Sequence, residues 1–176
     1  MVGDPLKQQY PALALSDDEL HKEIFSRLSN SVSPLANPYS KDGFDAAAIS
    51  QLPVGLRAMA ATHHFDISLT LDDIGWHFLN FGEPGFVRET EAGLHELGLN
   101  DMAQWFTEAY AIVNSLRSEI EASEGFHDCL IQHGQRDRID ELRSKAQPPG
   151  NKSLIYEAWV RYAREHPENI FSKPMV

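Results

Sequence analysis

A chain of 176 residues with 42% hydrophobic and 23% charged residues is long enough to bury a core without disulfides and too apolar for wholesale disorder. Its net charge of −11 opposes binding to nucleic acid or anionic lipid, and its one cysteine, Cys129, excludes an internal disulfide or a thiol-rich metal site. The charge is uneven: residues 1–125 hold 7 Lys/Arg against 19 Asp/Glu, whereas residues 126–176 hold 8 against 7.

Residues 1–15, with Pro5 and Pro11 and little periodicity, read as an irregular lead-in to one helical domain over residues 16–171. Ser16-Asp17-Asp18-Glu19 forms a capping box that starts a helix, whose apolar stripe is Leu20, Ile24 and Leu28. Two prolines make residues 31–42 a loop. A short helix is predicted from Asp45. Pro53 then opens a longer one, with Leu56, Met59, Ala60 and His63 on its buried face, ending near Phe65. On that face His63 reads as a core histidine with a satisfied ring nitrogen rather than as a ligand.

Residues 70–113 organise the rest. Thr70 is the predicted N-cap of a helix carrying Ile74, Phe78 and Phe81, and Gly82 ends it. Pro84 opens the next, with Val87, Thr90, Leu94 and Leu97 inward and Glu83, Glu89, Glu91 and Glu96 mostly outward; Gly98 stops it. Asn100 is the predicted cap of a third helix. There Met102, Trp105, Phe106, Ala109, Val113, Leu116 and Ile120 keep the 3.6-residue period, so it should be the central core helix. Residues 126–146 form one helix or two pieces around Gly134. Asn151 caps a final helix with Ile155, Ala158, Trp159 and Tyr162 inward, ended by Pro167. No strand alternation or hairpin signal joins two apolar runs. The predicted fold is an all-α single-domain bundle of about seven mostly antiparallel helices.

Phosphate-loop, hydrolase-elbow and dinucleotide motifs are absent, and so is a His-Glu-x-x-His pair. His127, Asp128 and His133 are close in sequence without the spacing of a metal site. No cofactor is expected. Arg57 with His63 or His64 has the spacing of the ribonuclease motif of HEPN-type toxins. At about 100° per residue, however, Arg57 and His63 diverge by roughly 120°, and Arg57 and His64 stand two turns apart. No basic leader with an apolar run and no apolar stretch of about 18 residues occurs, so a cytoplasmic protein away from membranes is expected.

Gly75-Trp76-His77-Phe78 with Asn80-Phe81-Gly82, Glu89-Thr90 with Gly93-Leu94, the Leu97-Gly98 stop, Phe106 with Ala109, and the ending Arg161-Tyr162-Ala163-Arg164-Glu165-His166-Pro167 resemble the bacterial DNA-mimic-protein (DMP-type) domain family. The similarity spans roughly residues 45–171. It implies a small helical domain of mostly uncharacterised function, one member of which is regarded as a dimer that imitates DNA through surface carboxylates. Here Asp72-Asp73-Ile74 and Phe78 stand where that family has an Asn-rich Gly-Gly turn and a Gln before an aromatic pair, so no role for those amides carries over.

A mimic needs carboxylates fixed on a rigid surface so that a basic groove accepts them in place of phosphates. Glu89 and Glu96, seven residues apart, lie on one helical face about 10.5 Å from each other. The expectation is therefore a non-enzymatic protein-interaction domain with a basic, nucleic-acid-binding protein as partner and no direct nucleic-acid contact. Its candidate partner-binding residues are Asp72, Asp73, Glu83, Glu89, Glu91 and Glu96. A homodimer is what the resemblance implies, and a HEPN-like ribonuclease using Arg57 and His63 or His64 is the alternative.

Overall fold

The computed structural model describes residues 5–32, 39–40, 43–44, 49–71, 74–123, 125–148, 150 and 153–172. Ser16 and Glu19 close the predicted capping box: the Ser16 N–H donates to Glu19 Oε2 at 3.0 Å, and the Glu19 N–H points back to Ser16 Oγ at 3.4 Å. From there α2 (Asp17–Val32) buries only Leu20, Ile24 and Leu28. The residues before it are more ordered than an irregular lead-in. Pro5–Gln9 form α1 and Pro11–Ala14 a 3-10 turn, because Arg164 donates to the Leu13 and Leu15 carbonyls and Leu13 is buried beneath. After α2, Tyr39–Ser40 (β1) and Gly43–Phe44 (β2) pair antiparallel, with Tyr39 opposite Phe44. Ile49 and Ser50 are helical and Ile49 is fully buried; most of the short helix predicted from Asp45 lies outside the described residues.

The axis of the fold is α3 (Val54–Leu71), which runs on past the predicted end at Phe65. Thr70 does not cap a new helix, because its Oγ1 donates to the Asp66 carbonyl one turn back, at 3.0 Å; Ser68 and Thr62 do the same to His64 and Ala58. Such back-bonding lets hydroxyl residues continue a helix as readily as start one. With no Gly or Pro after Gly55, nothing stops α3 earlier. Against it lie α4 (Ile74–Phe81) and α5 (Pro84–Glu96). A Cβ on Gly93 would stand 2.9 Å from the Ala58 carbonyl oxygen, so glycine is what lets α5 and α3 cross backbone to backbone. Thr90 Oγ1 locks the crossing by donating to the Ala61 carbonyl at 3.1 Å.

Gly98 and Gly134, at φ +74° and +65°, terminate α5 and α8 (Phe126–Gln132). In each, an amide reaches back five residues: Leu99 to the Leu94 carbonyl and Gln135 to the Leu130 carbonyl, both at 2.8 Å, the Schellman pattern. The core helix α6 (Asn100–Ser115) packs Phe106 against Phe65 and Phe78, ring centroids 4.8 and 4.9 Å apart. Its N-cap is Leu99 rather than Asn100, whose side chain instead meets His95 Nδ1 at 2.7 Å. The predicted five-turn run to Ile120 is broken at Leu116, and α7 (Arg117–Ala122) continues separately. That break brings Arg117 Nη2 within 3.2 Å of the Phe78 carbonyl, in the last turn of α4. A Cβ on Gly82 would sit 2.1 Å from that oxygen and 2.5 Å from the guanidinium, which is why α4 ends on glycine.

The remaining elements are α9 (Arg136–Ala146), α10 (Leu154–Glu165) and α11 (Glu168–Phe171). Ser153, not Asn151, caps α10: its Oγ accepts the Tyr156 N–H at 3.0 Å. Asn151 lies outside the described residues. The Trp159 indole N–H donates to Thr62 Oγ1 at 3.1 Å, tying α10 to α3 across the core. The chain is all-α, with eleven α-helices among the described residues. The end helices α1 and α11 and the breaks at Leu116 and Gly134 account for the excess over the predicted seven, and β1–β2 is the one strand pair among the described residues.

Candidate interaction surface

The predicted carboxylates do not form one free ridge. At about 100° per residue Glu89 and Glu96 share one side of α5, while Glu83 and Glu91 lie on another. Glu89 is only 16% exposed and holds Arg57 bidentately, Nε to Oε2 at 2.9 Å and Nη2 to Oε1 at 2.5 Å, so its charge is neutralised at the α3–α5 crossing. This corrects the outward placement of Glu89. Glu96 is exposed and accepts the Tyr162 O–H at 2.5 Å, and Tyr162 in turn accepts from Asn169 Nδ2 at 2.9 Å. Burial and the Glu96 carboxylate together push the Tyr162 phenol pKa upward. Glu83 is the N-cap of α5, accepting the Phe86 N–H at 2.8 Å. Glu91 borders an open concavity between α5 and α6 with His95, Gln104 and Glu108. Asp72 and Asp73 lie outside the described residues.

What the sequence did not disclose is where the cations go. Arg27 donates to the Phe171 carbonyl, Arg117 to Phe78, Arg161 to Leu97, and Arg164 to Leu13 and Leu15, at 3.0 to 3.2 Å. Most of these oxygens belong to the last turn or cap of a helix, where carbonyls lack an intrahelical partner and the dipole favours positive charge. Arg57, Arg136 and Arg138 are held by Glu89, Asp140, and Glu108 with Glu141. In that last network the Arg138 and Lys145 cations hold the Glu141 carboxyl down at about 2. The arginines thus bind the fold together. Among the described residues, Glu91, Asp101, Glu119 and Glu121 make no ion pair and face outward or half-outward on α5, α6 and α7.

Arg57 and His63/His64 are not brought together. Arg57 lines a concavity with Val54, Glu89 and Gly93, whereas His63 and His64 line a separate groove of about 370 Å³ between α2 and α3 with Phe25, Leu28, Ser29 and Val32. His63 is half-buried against Phe25 and Trp159, so it is less enclosed than a core histidine. Its pKa and that of His64 are lowered by burial, the latter to about 4. His127 sits between the Trp76 indole N–H and Arg136. No group of three or more His, Cys, Asp or Glu among the described residues is placed to hold a metal ion. No described helix is long and apolar enough to cross a membrane.

The fully enclosed histidine is His77, 1% exposed. Its Nδ1 lies 2.9 Å from Ser68 Oγ, which donates its proton to the His64 carbonyl at 2.9 Å. With the Ser68 proton on that carbonyl, Nδ1 carries the ring proton, and Nε2 has no partner among Phe65, Phe78, Phe81 and Phe106. The dense aromatic run around position 77 hinted at a core position; nothing in it announced an unpaired nitrogen. No protein-family model, curated protein or solved structure matches this chain.

Proposed function

We propose that this chain is an acidic, non-enzymatic protein-interaction module whose partner presents a basic surface, with DNA mimicry as the sharper form of that reading. The observation that carries it is the division of charge. The described arginines are largely committed to helix-end carbonyls and buttressing ion pairs, so carboxylates such as Glu91, Asp101, Glu119 and Glu121 dominate the outward field. Glu83 and Glu96 add anionic groups held in place by one hydrogen bond each, the rigidity that a substitute for phosphate requires. The resemblance to the DMP-type family points the same way.

The experiment is capture from cell lysate on the immobilised protein, eluted in parallel with duplex DNA and with salt. A mimic's partner holds the protein in its DNA-binding groove and is released by duplex DNA. The variant Glu83→Gln, Glu91→Gln, Glu96→Gln keeps the hydrogen-bond acceptors and removes three charges, so it should capture the partner weakly and with a shallower salt dependence. Glu89 is left intact because its removal would strand Arg57. Capture unchanged in the triple variant would overturn the acidic-interface reading. Release by salt but never by DNA would overturn mimicry alone.

A further inference from the structure

The seam between α2 and the body of the bundle is built from imidazoles. α2 fully buries only three side chains along its 16 residues, Leu20, Ile24 and Leu28, with Val32 partly buried, and His21 and Phe25 meet aromatic partners at its edge. His21 lies on the Tyr156 ring at 4.0 Å and near Trp159 at 5.7 Å, while Phe25 meets His63 edge-on at 5.4 Å. His63 in turn lies 6.0 Å from Trp159 and 5.6 Å from His64, and His64 packs on Phe81 at 4.7 Å. Three of the chain's eight histidines therefore share one layer, between α2 and the two helices beneath it.

Few charges face this layer, and from α4 the buried His77, which shares Phe81 with His64, is the one titratable neighbour. From α2 there is Asp18, which accepts the Tyr156 O–H at 2.7 Å; from α3 there is Asp66, which accepts from Ser153; from α10 there are the Tyr156 phenol and, at the far end of α2, Arg164 on Asp17. Asp18 favours a charged His21 and Asp66 a charged His63, but burial outweighs both and lowers the pKa of all three imidazoles. His21 and His63, and His63 and His64, also disfavour each other's charge.

We propose that α2 is an acid-released flap: protonation of His21, His63 and His64 loosens this seam and parts α2 from α3 and α10 before the rest of the bundle unfolds. The sign follows from linkage. Each imidazole binds its proton more tightly once solvated, so the docked state is favoured above the ordinary histidine pKa of about 6.5 and loses ground as pH falls below it. Helix α6 carries no titratable group of this layer, and acid reaches it only through the stability of the whole bundle, chiefly by way of His77 against Phe106.

Amide hydrogen exchange on the full chain, corrected for the intrinsic pH dependence, tests this. Between pH 7 and pH 5 protection across residues 17–32 should fall by about ten-fold or more beyond any fall across residues 100–115, and the variant His21→Gln, His63→Gln, His64→Gln should abolish that difference. An equal loss of protection in both helices, or an α2 insensitive to pH, overturns the proposal. If the triple variant does not fold, imidazole proton titration of the wild type decides: pKa values at or above 6.5 for the three histidines overturn the flap, and values below it, tracking the α2 exchange, support it.

Discussion

Replacing His77 by Phe should make the protein both more stable and less sensitive to acid. In the native state Nε2 is fully buried without a partner, a condition that costs about 1–3 kcal/mol for a polar atom. The Phe ring has neighbours of its own kind on four sides and removes that cost. Ser68 Oγ keeps its bond to the His64 carbonyl, so no new orphan is created. Partial overpacking offsets some of the gain, leaving about 1 kcal/mol at pH 7.5. The larger effect lies at lower pH. Burial holds the native His77 pKa down at about 3, whereas the unfolded chain titrates near 6.5. The unfolded state therefore binds the extra proton, and wild-type stability falls as pH drops below 6.5 and keeps falling toward 3. At pH 5 the loss amounts to about 2 kcal/mol from this residue alone. Urea denaturation of both proteins at pH 7.5 and 5.0 measures it: the stability gap should widen by about 2 kcal/mol at the lower pH with an unchanged m-value. A gap equal at the two pH values would refute the assignment of His77 as a buried neutral imidazole.

Gly93→Ala should destabilise by about 1–3 kcal/mol in thermal denaturation, because the new methyl meets backbone atoms of Ala58 at 2.9 and 3.2 Å and can be accommodated only by separating α3 from α5. A double-mutant cycle on Arg57→Ala and Glu89→Ala should return a coupling of about 1 kcal/mol or less, since the arginine side chain is 38% exposed and screened by water. Ser153→Ala removes both the α10 cap and a donor to Asp66. It should cost about 1 kcal/mol and move the Asp66 pKa, already raised by burial, further up in a carboxyl NMR titration.

Legibility in the sequence followed how many meanings a residue can carry. Glycine in the left-handed region has one, so the Gly98 stop can be read directly, whereas around Gly134 the sequence allows one helix or two and the positive φ divides them. Pro84 and the Ser16–Glu19 box are similarly unambiguous. A threonine has two: Thr70 looks like a cap, but the same hydroxyl serves the Asp66 carbonyl inside a helix, and only the absence of a breaker in residues 56–71 distinguishes them. Leu116 has no local signature at all. The periodic pattern runs straight through it, and the break belongs to a tertiary contact, Arg117 on Phe78. The site was less legible than the fold for the same reason. Spacing places Glu89 and Glu96 on one face, yet whether a face is outward depends on what lies opposite, here Arg57 and Tyr162.

The division of charge also separates folding from surface. Arg27, Arg117, Arg161 and Arg164 reach carbonyls that a bundle of many short helices leaves without partners, so their number follows from how often the chain ends a helix. The carboxylates have no matching obligation. Glu91, Asp101, Glu119 and Glu121 hold no cation; their mutual repulsion acts against the compact state, while the first turns of α6 and α7 favour the charges of Asp101 and Glu119. These effects oppose each other, so neutralising the four should leave stability nearly unchanged, whereas removing any of the four arginines should lower it by about 1 kcal/mol through the lost charge-assisted bond. If the acidic set instead proves to be required for folding, measured as a lower denaturation midpoint in the quadruple Gln variant, the surface has a structural role and the interaction reading loses its main support.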